Sequence, residues 1–578
     1  MIRSITGLTL ISCIALLFSC AKNIEKIPLE LNTIEYIFDK DDSLGTNAEF
    51  YLNGIYAALP KGYNRVGDDL LDAATDDAIS SSPGSVDVYR LATGGYTSST
   101  FPGGEAMWGT SYSVIRKVNI FINNIDVVPL NKMVAPGFPK KRAYKAEARF
   151  IRALFYFELL KRYGGVPLVG DSVRQLGANM ELPRNSFEEC VNYIVSECDN
   201  IKDSLRTLAQ TQATREYQAV TQGACLALKA RVLLYAASPL FNGQNIEEGN
   251  DKTGYTNYDI NRWKLAADAA KELIGRNEYD LIPQRFSDIF ITVDGFAEKE
   301  NKEIIFVNPA STSTNVETSN GPVGYSPGTA NGRTSPTQEL VDAFPMKNGK
   351  GISEDGAGYS AADPYANRDP RFEMSIFYNG HQWLNTSLET FEGGRSHPGT
   401  LNVETRTSYY MRKFMGAFEA TNNFSSVFHD VILFRYAEVL LNYAEAKNEF
   451  SGPDAEIYKV LTDLRKRAGI EEGGNGQYGL KPVSEMTQND MRQAIRNERR
   501  IELAFEEHRY WDIRRWKIAE TVMNTPLHGM SIVRGSSGRL SMSEKEVFTP
   551  VFKTRQYLYP IPYDEVVKNS NMRQNPGW

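Results

Sequence analysis

Histidine and cysteine are scarce in this 578-residue chain, at five each. So few histidines leave little material for a multi-histidine metal centre, and His381, His397 and His429 have no evident nucleophile beside them. After position 20 the cysteines are Cys190, Cys198 and Cys225, odd in number and without a Cys-x-x-Cys pair. Neither a disulfide framework nor a zinc site follows, and they read as small buried apolar side chains. No basic tract interrupts a balance of 64 Lys and Arg against 71 Asp and Glu, which excludes binding driven by neutralising nucleic-acid phosphates. Gly-x-Ser-x-Gly is missing. Gly164-Gly165 has neither the strand before it nor the Lys-Ser after it that a phosphate loop needs, so it is expected to end a helix. Asp68, Asp69, Asp72, Asp76 and Asp77 are the densest acidic cluster, but the glycine and closing glutamate of a calcium loop are absent. Solvated or capping carboxylates are the expectation there, with no metal and no cofactor. Among 71 acids, a pair spaced for glycoside cleavage stays open.

Long apolar runs are also lacking, with one exception. Arg3 precedes the run from Ile5 to Phe18, which is too short to anchor in a bilayer and suited to the core of a signal peptide. It ends in Leu17-Phe18-Ser19-Cys20, which resembles a bacterial lipoprotein cleavage site. Residues 1–19 are then a signal peptide, Cys20 is the acylated first residue, and the polar stretch 20–42 is a lipid-anchored tether. An ordinary secretory signal with an incidental cysteine is the alternative.

Beyond the tether, apolar residues recur at three- and four-residue spacing. Helices are expected over 47–59, 107–125, 140–163, 187–208, 222–237, 263–274, 431–449, 454–467 and 490–517. The third is apolar on two faces: Ala143, Ala146, Phe150, Ala153, Phe157 and Leu160 on one, Tyr144, Ala148, Ile151, Phe155 and Leu159 on the other. Such a helix packs on both sides, as an inner member of a stack does. Closely spaced alanines suggest helix-turn-helix pairs like tetratricopeptide repeats, without their consensus. Long Gly-rich and Ser-rich stretches at 62–104, 242–258, 310–336 and 347–422 are read as functional loops, with short β-type runs at 303–307 and 372–378. In the helix over 490–517, Glu506 with Arg509 and Arg509 with Asp512 are expected to pair on neighbouring turns, with Trp511 and Trp516 in the core.

Four segments carry a wider resemblance. They are Glu147-Ala148-Arg149-Phe150-Ile151-Arg152-Ala153 through Tyr163-Gly164-Gly165-Val166-Pro167-Leu168; Arg435-Tyr436-Ala437-Glu438 through Tyr443-Ala444-Glu445-Ala446; Arg496-Asn497-Glu498-Arg499-Arg500-Ile501-Glu502 through Arg515-Trp516; and Tyr559-Pro560-Ile561-Pro562 with Gln574-Asn575-Pro576-Gly577-Trp578. With Asn367-Arg368-Asp369-Pro370-Arg371-Phe372 and Ala237-Ser238-Pro239-Leu240 in order between them, the chain resembles the SusD/RagB family over nearly its whole mature length. The resemblance implies an all-α, tetratricopeptide-like scaffold with elaborated loops and minor β-hairpins. Its N-terminal half would run over 43–240 and its C-terminal half over 241–578, packed as one globular unit. It further implies a non-enzymatic outer-membrane lipoprotein facing the cell exterior, a glycan ligand, and a SusC-like TonB-dependent transporter as partner. Peptide capture and a helical-repeat scaffold for proteins are the alternatives.

A glycan binder needs flat aromatic faces for the C–H patches of pyranose rings, and polar groups for the hydroxyls. Loop aromatics are therefore the candidate ligand contacts: Tyr89, Tyr96 and Phe101 in the first long loop, Tyr325 in the third, and Tyr378 and Trp383 in the fourth.

Overall fold

The computed structural model describes residues 33–578 apart from 83–85, 176, 283–285, 291–300, 326–329, 398–403 and 475. The signal peptide and Cys20 lie outside the described residues, as does the tether up to residue 32. Residues 33–42, expected within that tether, are already part of the folded body. Thr33 caps a single helical turn, Ile34–Ile37, and Phe38 is buried with its ring 5.5 Å from Tyr51 and 5.9 Å from Phe121.

Helices form where the apolar spacing places them: α1 (Thr46–Tyr56), α2 (Trp108–Asn124), α3 (Lys140–Tyr163), α4 (Phe187–Ile201), α5 (Gln222–Ala237), α6 (Asn261–Ile274), α7 (Tyr436–Ser451), α8 (Ala455–Ala468), α9 (Gln488–Glu502) and α10 (His508–Arg515). From α1 to α7 each packs on the next, and α7 packs on both α8 and α9, giving a tetratricopeptide-like stack. Local chemistry sets the ends. Ser186 and Glu189 form a reciprocal capping box at α4, Thr487 and Asp490 do the same at α9, and Asp454 accepts from two backbone amides at α8. Inner position suits α3, where every residue from Phe150 to Leu160 is buried. Phe157 meets Tyr235 of α5 edge-on at 5.1 Å. The helix stops at Gly164, whose φ of 76° and close approach to the Lys252 carbonyl leave no room for a side chain.

Three expected helices are interrupted, the one over 187–208 ending at Ile201 before the backbone becomes extended at Leu205. The run Val431-Ile432-Leu433-Phe434 is β-branched and aromatic, and it forms a strand before α7 begins. With β1 (Ala78–Ser80), β2 (Ile304–Asn308) and β3 (Thr334–Pro336), it is β4 (Val431–Arg435), pairing antiparallel with β2 while β1 pairs with β3. The helix over 490–517 breaks after α9, because Phe505 and Glu507 take left-handed backbone angles of 64° and 61°. That turn cancels the expected pairing on neighbouring turns. Arg509 reaches instead to Asp76 at 2.6 Å, Asp512 binds Arg499 at 2.6 Å and Arg515 at 2.8 Å, and Glu506 takes Lys413 and Arg435. The 372–378 run is likewise part helix, Pro370–Ser375 capped by Asp369, before the two-residue strand Ile376–Phe377. A long hairpin, β5 (Leu527–Arg534) with β6 (Leu540–Phe548), follows α10; its second strand is too polar to show an alternating pattern.

The stretch read as a loop over 347–422, with the segment around Phe286 and Phe290, carries a second core. Phe286, Phe290, Phe372, Phe377, Trp383, Tyr409, Tyr410 and Phe414 bury their rings there with Ile501 and Phe505. Beside it runs a buried ion-pair network. Arg371 binds Asp369 at 2.7 Å, Glu498 at 2.6 Å and Glu502 at 2.9 Å; Arg435 binds Glu303 at 2.9 Å, and Glu502 and Glu506 at 2.7 Å. Every remaining charge in it has a partner, which burial demands.

Candidate functional site

A cavity of about 310 Å³ opens where the helical stack meets the second core. The chain leaving α1 supplies Tyr63 and Arg65, α3 supplies Glu158, Lys161 and Arg162, α5 supplies Arg231 and Tyr235, and the turn into α10 supplies Glu506, Glu507, His508 and Trp511. Phe290 and Phe414 close it from the second core. Gly104 belongs to the wall because a side chain there would run into the Arg65 carbonyl. The size lies at the small end of ligand pockets, which span roughly 300–1,000 Å³.

Aromatic faces and fixed charges alternate around this wall. Tyr63 stacks on Phe414 at 4.0 Å with 14° between the planes, and its hydroxyl donates to the Asp430 carbonyl at 2.7 Å. Lys161 and Arg162 lie over the Trp511 ring at 4.8 and 4.9 Å. Three of the cations are tied. Lys161 donates to Glu158 at 2.7 Å, Arg65 to Glu507 at 2.6 and 2.7 Å, and Arg231 to Glu438 and the Leu433 carbonyl at 2.6 Å. Burial pulls the Lys161 ammonium down to about 8, against the pull of Glu158. Burial would raise Glu158, but Lys161 and Arg162 outweigh it and hold the carboxyl at about 2. Glu506 is likewise held below its ordinary range, burial being outweighed by Arg435 and Lys413. Burial, aided by Arg499, pushes His508 well below its usual value, so the imidazole is neutral at pH 7. Neither Glu158 nor Glu506 therefore supplies the protonated carboxyl that glycoside cleavage requires. The arrangement offers rings for stacking and oriented donors for hydroxyls.

None of the loop aromatics singled out from sequence lines this cavity, and they fall in two separate places. Tyr96 is 2% exposed and stacks on the C-terminal Trp578 at 5.0 Å; Phe101 packs edge-on to Tyr96 and 4.6 Å from Tyr559. Trp383 is 1% exposed, between Phe377 at 5.0 Å and Phe418 at 6.0 Å. Tyr96 and Trp383 are thus packing residues, buried because each loop turns its ring inward onto other aromatics. Tyr378 is half-buried on Phe372 at 5.1 Å, and Tyr325, also half-buried, accepts the Glu389 amide at 2.6 Å. Tyr89 alone of the six is exposed, near Phe548. Tyr63, missed from sequence, sits in the same first long loop, just after Gly62; Trp511 is buried as expected yet faces the cavity. The acidic cluster is not solvated either: Asp69, Asp72, Asp76 and Asp77 are buried, and Asp76 and Asp77 bind Arg500 and Arg509. Among the described residues no group of three or more His, Cys, Asp or Glu could hold a metal.

Two family models match the chain. Residues 302–578 match the SusD family, and residues 49–234 match a model described as starch-binding, associating with outer membrane. The chain belongs to the SusD/RagB family. Two SusD-like proteins of Formosa agariphila agree with this. One is 25% identical over 82% of this chain and 80% of its own length, the other 24% identical over 91% and 94%. A solved SusD-like protein of Bacteroides fragilis superposes with a TM-score of 0.74 at 26% identity, covering 93% of this chain and 98% of its own. A second from that organism, described as a SusD-like carbohydrate binding protein, has a TM-score of 0.73 at 23% identity over 92% and 99%. The matched N-terminal model is thus of a starch-binding kind associated with the outer membrane. In this chain the family's motif segments are struts. Glu445 binds Arg515 and the Trp516 indole at 2.7 Å, and Arg499 binds Asp512 and Asn442. These bonds brace the helices behind the cavity wall, while Glu158, Lys161, Arg162 and Trp511 of the same segments line it.

Proposed function

We propose that this protein captures glycans at the cell surface and hands them to a SusC-like TonB-dependent outer-membrane transporter, held to the membrane by acyl chains on Cys20. The observation that carries the reading is the cavity in which Tyr63, stacked on Phe414, stands with Trp511 among salt-bridged donors. Pyranose rings bind such walls by C–H stacking, while their hydroxyls take up donors already oriented by ion pairs. A structural neighbour described as carbohydrate binding supports the ligand class. Several acyl chains, at about 0.8 kcal/mol per buried methylene, would make the anchor effectively permanent. Anchoring both partners in one membrane raises their effective concentration, so a modest interface stays occupied.

The test is to purify this protein from native membranes in mild detergent and ask whether a SusC-like transporter accompanies it, and to measure growth on limiting glycan after deleting only this protein. Co-purification and impaired growth are expected. No association together with unimpaired growth overturns the capture role. A Cys20→Ala variant that still sediments with outer membrane after a salt wash, in cells lacking the transporter, overturns the anchor. A peptide panel beside the glycan panel decides the ligand class.

A further inference from the structure

Arg496 on α9 stands apart from the arginines around it. Its neighbours are all engaged: Arg492 holds both oxygens of Glu449 at 2.5 and 2.6 Å, Arg499 binds Asp512 at 2.6 Å, and Arg500 binds Asp77 at 2.6 Å. Arg496 makes no hydrogen bond or ion pair among the described residues, and its Nε is buried with no acceptor. The guanidinium lies over the Trp516 ring, 4.5 Å from the centroid, and the Trp516 indole is fixed by its bond to Glu445 at 2.7 Å. Burial lowers the Arg496 pKa, with Glu445 opposing. A buried donor left unmade is costly, and folded proteins keep few of them.

The groove that Arg496 faces is built from two adjoining cavities of about 400 and 200 Å³, which share Pro239, Gln244, Tyr258 and Trp263. It shares no lining residue with the cavity between the stack and the second core. Tyr258 is 60% exposed and packs against Gly243, where a side chain would collide with it, so its ring is supported from behind. Gln244, whose carbonyl accepts Lys517 at 2.9 Å, and Gln493 bring amides to the edge.

We propose that this groove binds an acidic glycan through one uronate residue, its carboxylate taken by Arg496, its ring on Tyr258 and its hydroxyls on Gln244 and Gln493. The two terminal guanidinium nitrogens, which are not among the buried unpaired atoms, can meet the two oxygens of a carboxylate in both shape and charge. A neutral sugar offers no such compensation. The proposal rests on the reading of the protein as a glycan binder, and it names a site separate from the cavity.

The experiment titrates the detergent-solubilised full chain with trigalacturonate, with glucuronate, with neutral galactotriose and with sodium sulfate, following tryptophan fluorescence and calorimetry. The expected result is that the uronates bind and galactotriose does not compete with them. Arg496→Gln should raise the uronate Kd at least about tenfold and Tyr258→Ala about fivefold, with the melting temperature kept. Tyr63→Ala, in the other cavity, should leave uronate affinity unchanged. Wild-type affinity in both groove variants, no uronate binding below 10 mM, or displacement by sulfate at the same concentration as by uronate would overturn the proposal. If uronate affinity falls in Tyr63→Ala alone, the uronate belongs to the cavity; the capture reading then survives and the groove site does not.

Discussion

In the helical stack, α3 buries an unbroken run from Phe150 to Leu160, and its neighbours meet it with side chains at helical spacing. In the second core, Trp383, Tyr409, Tyr410 and Phe414 arrive from segments with at most two residues of regular strand, and buried charges such as Arg371 and Arg435 stand beside them. Periodic apolar contact, braced by buried pairs such as Arg152 with Glu197, holds the first region, while the second depends on single rings and ion pairs without that period. The cavity lies at the seam, where the stack supplies Lys161 and Arg162 and the aperiodic region adds Phe290 and Phe414. Ligand choice can then change through the aperiodic side without disturbing the stack.

The largest effects expected are losses of stability, and they test whether the two regions differ as described. Phe157→Ala should cost about 3–5 kcal/mol in urea unfolding through the cavity it leaves. Arg371→Met should cost a similar 3–5 kcal/mol, because Asp369, Glu498 and Glu502 would stay buried with a cation missing. A cost under about 1 kcal/mol for Arg371→Met would break the claim that ion pairs hold the second region. Trp383→Ala should also fall within about 3–5 kcal/mol; an unchanged melting temperature would return Trp383 to the list of surface rings.

A smaller effect is set by pH. Burial alone would raise the Glu445 carboxyl, but Arg515 outweighs it and holds the folded-state value at about 2, against 4.5 for the free group. A depressed carboxylate contributes stability fully above about pH 4.5 and loses it as pH falls toward 2. Unfolding curves between pH 5 and 2 should therefore steepen through this window, and Glu445→Gln should remove about 2–3 kcal/mol of that dependence. A variant with the parent's pH profile would show that the strut behind the groove is not ionic.

How far the sequence spoke follows the same division. α3 and α5 begin and end where apolar spacing puts them, because burial on a helix imposes a 3.6-residue period. β4 was read as helix, since a four-residue apolar run looks alike in both conformations, and the partner strand β2 decides it. No period marks whether a loop ring points in or out. Tyr96 and Trp383 therefore looked equivalent to Tyr89, while Tyr63 went unnoticed. Arg496 was invisible as well, because its motif is full of arginines and only contacts show that, among the described residues, it makes neither hydrogen bond nor ion pair.

The smallest structural change carries the central claim. Tyr63 is half-buried, so Tyr63→Ala should cost no more than about 1–2 kcal/mol of stability. Calorimetric titration of the wild-type and Tyr63→Ala proteins against neutral oligosaccharides tests the cavity directly. The account predicts that at least one oligosaccharide binds the wild type and binds Tyr63→Ala at least about tenfold more weakly, both proteins remaining folded. Equal affinity in the two proteins for every oligosaccharide that binds would contradict it.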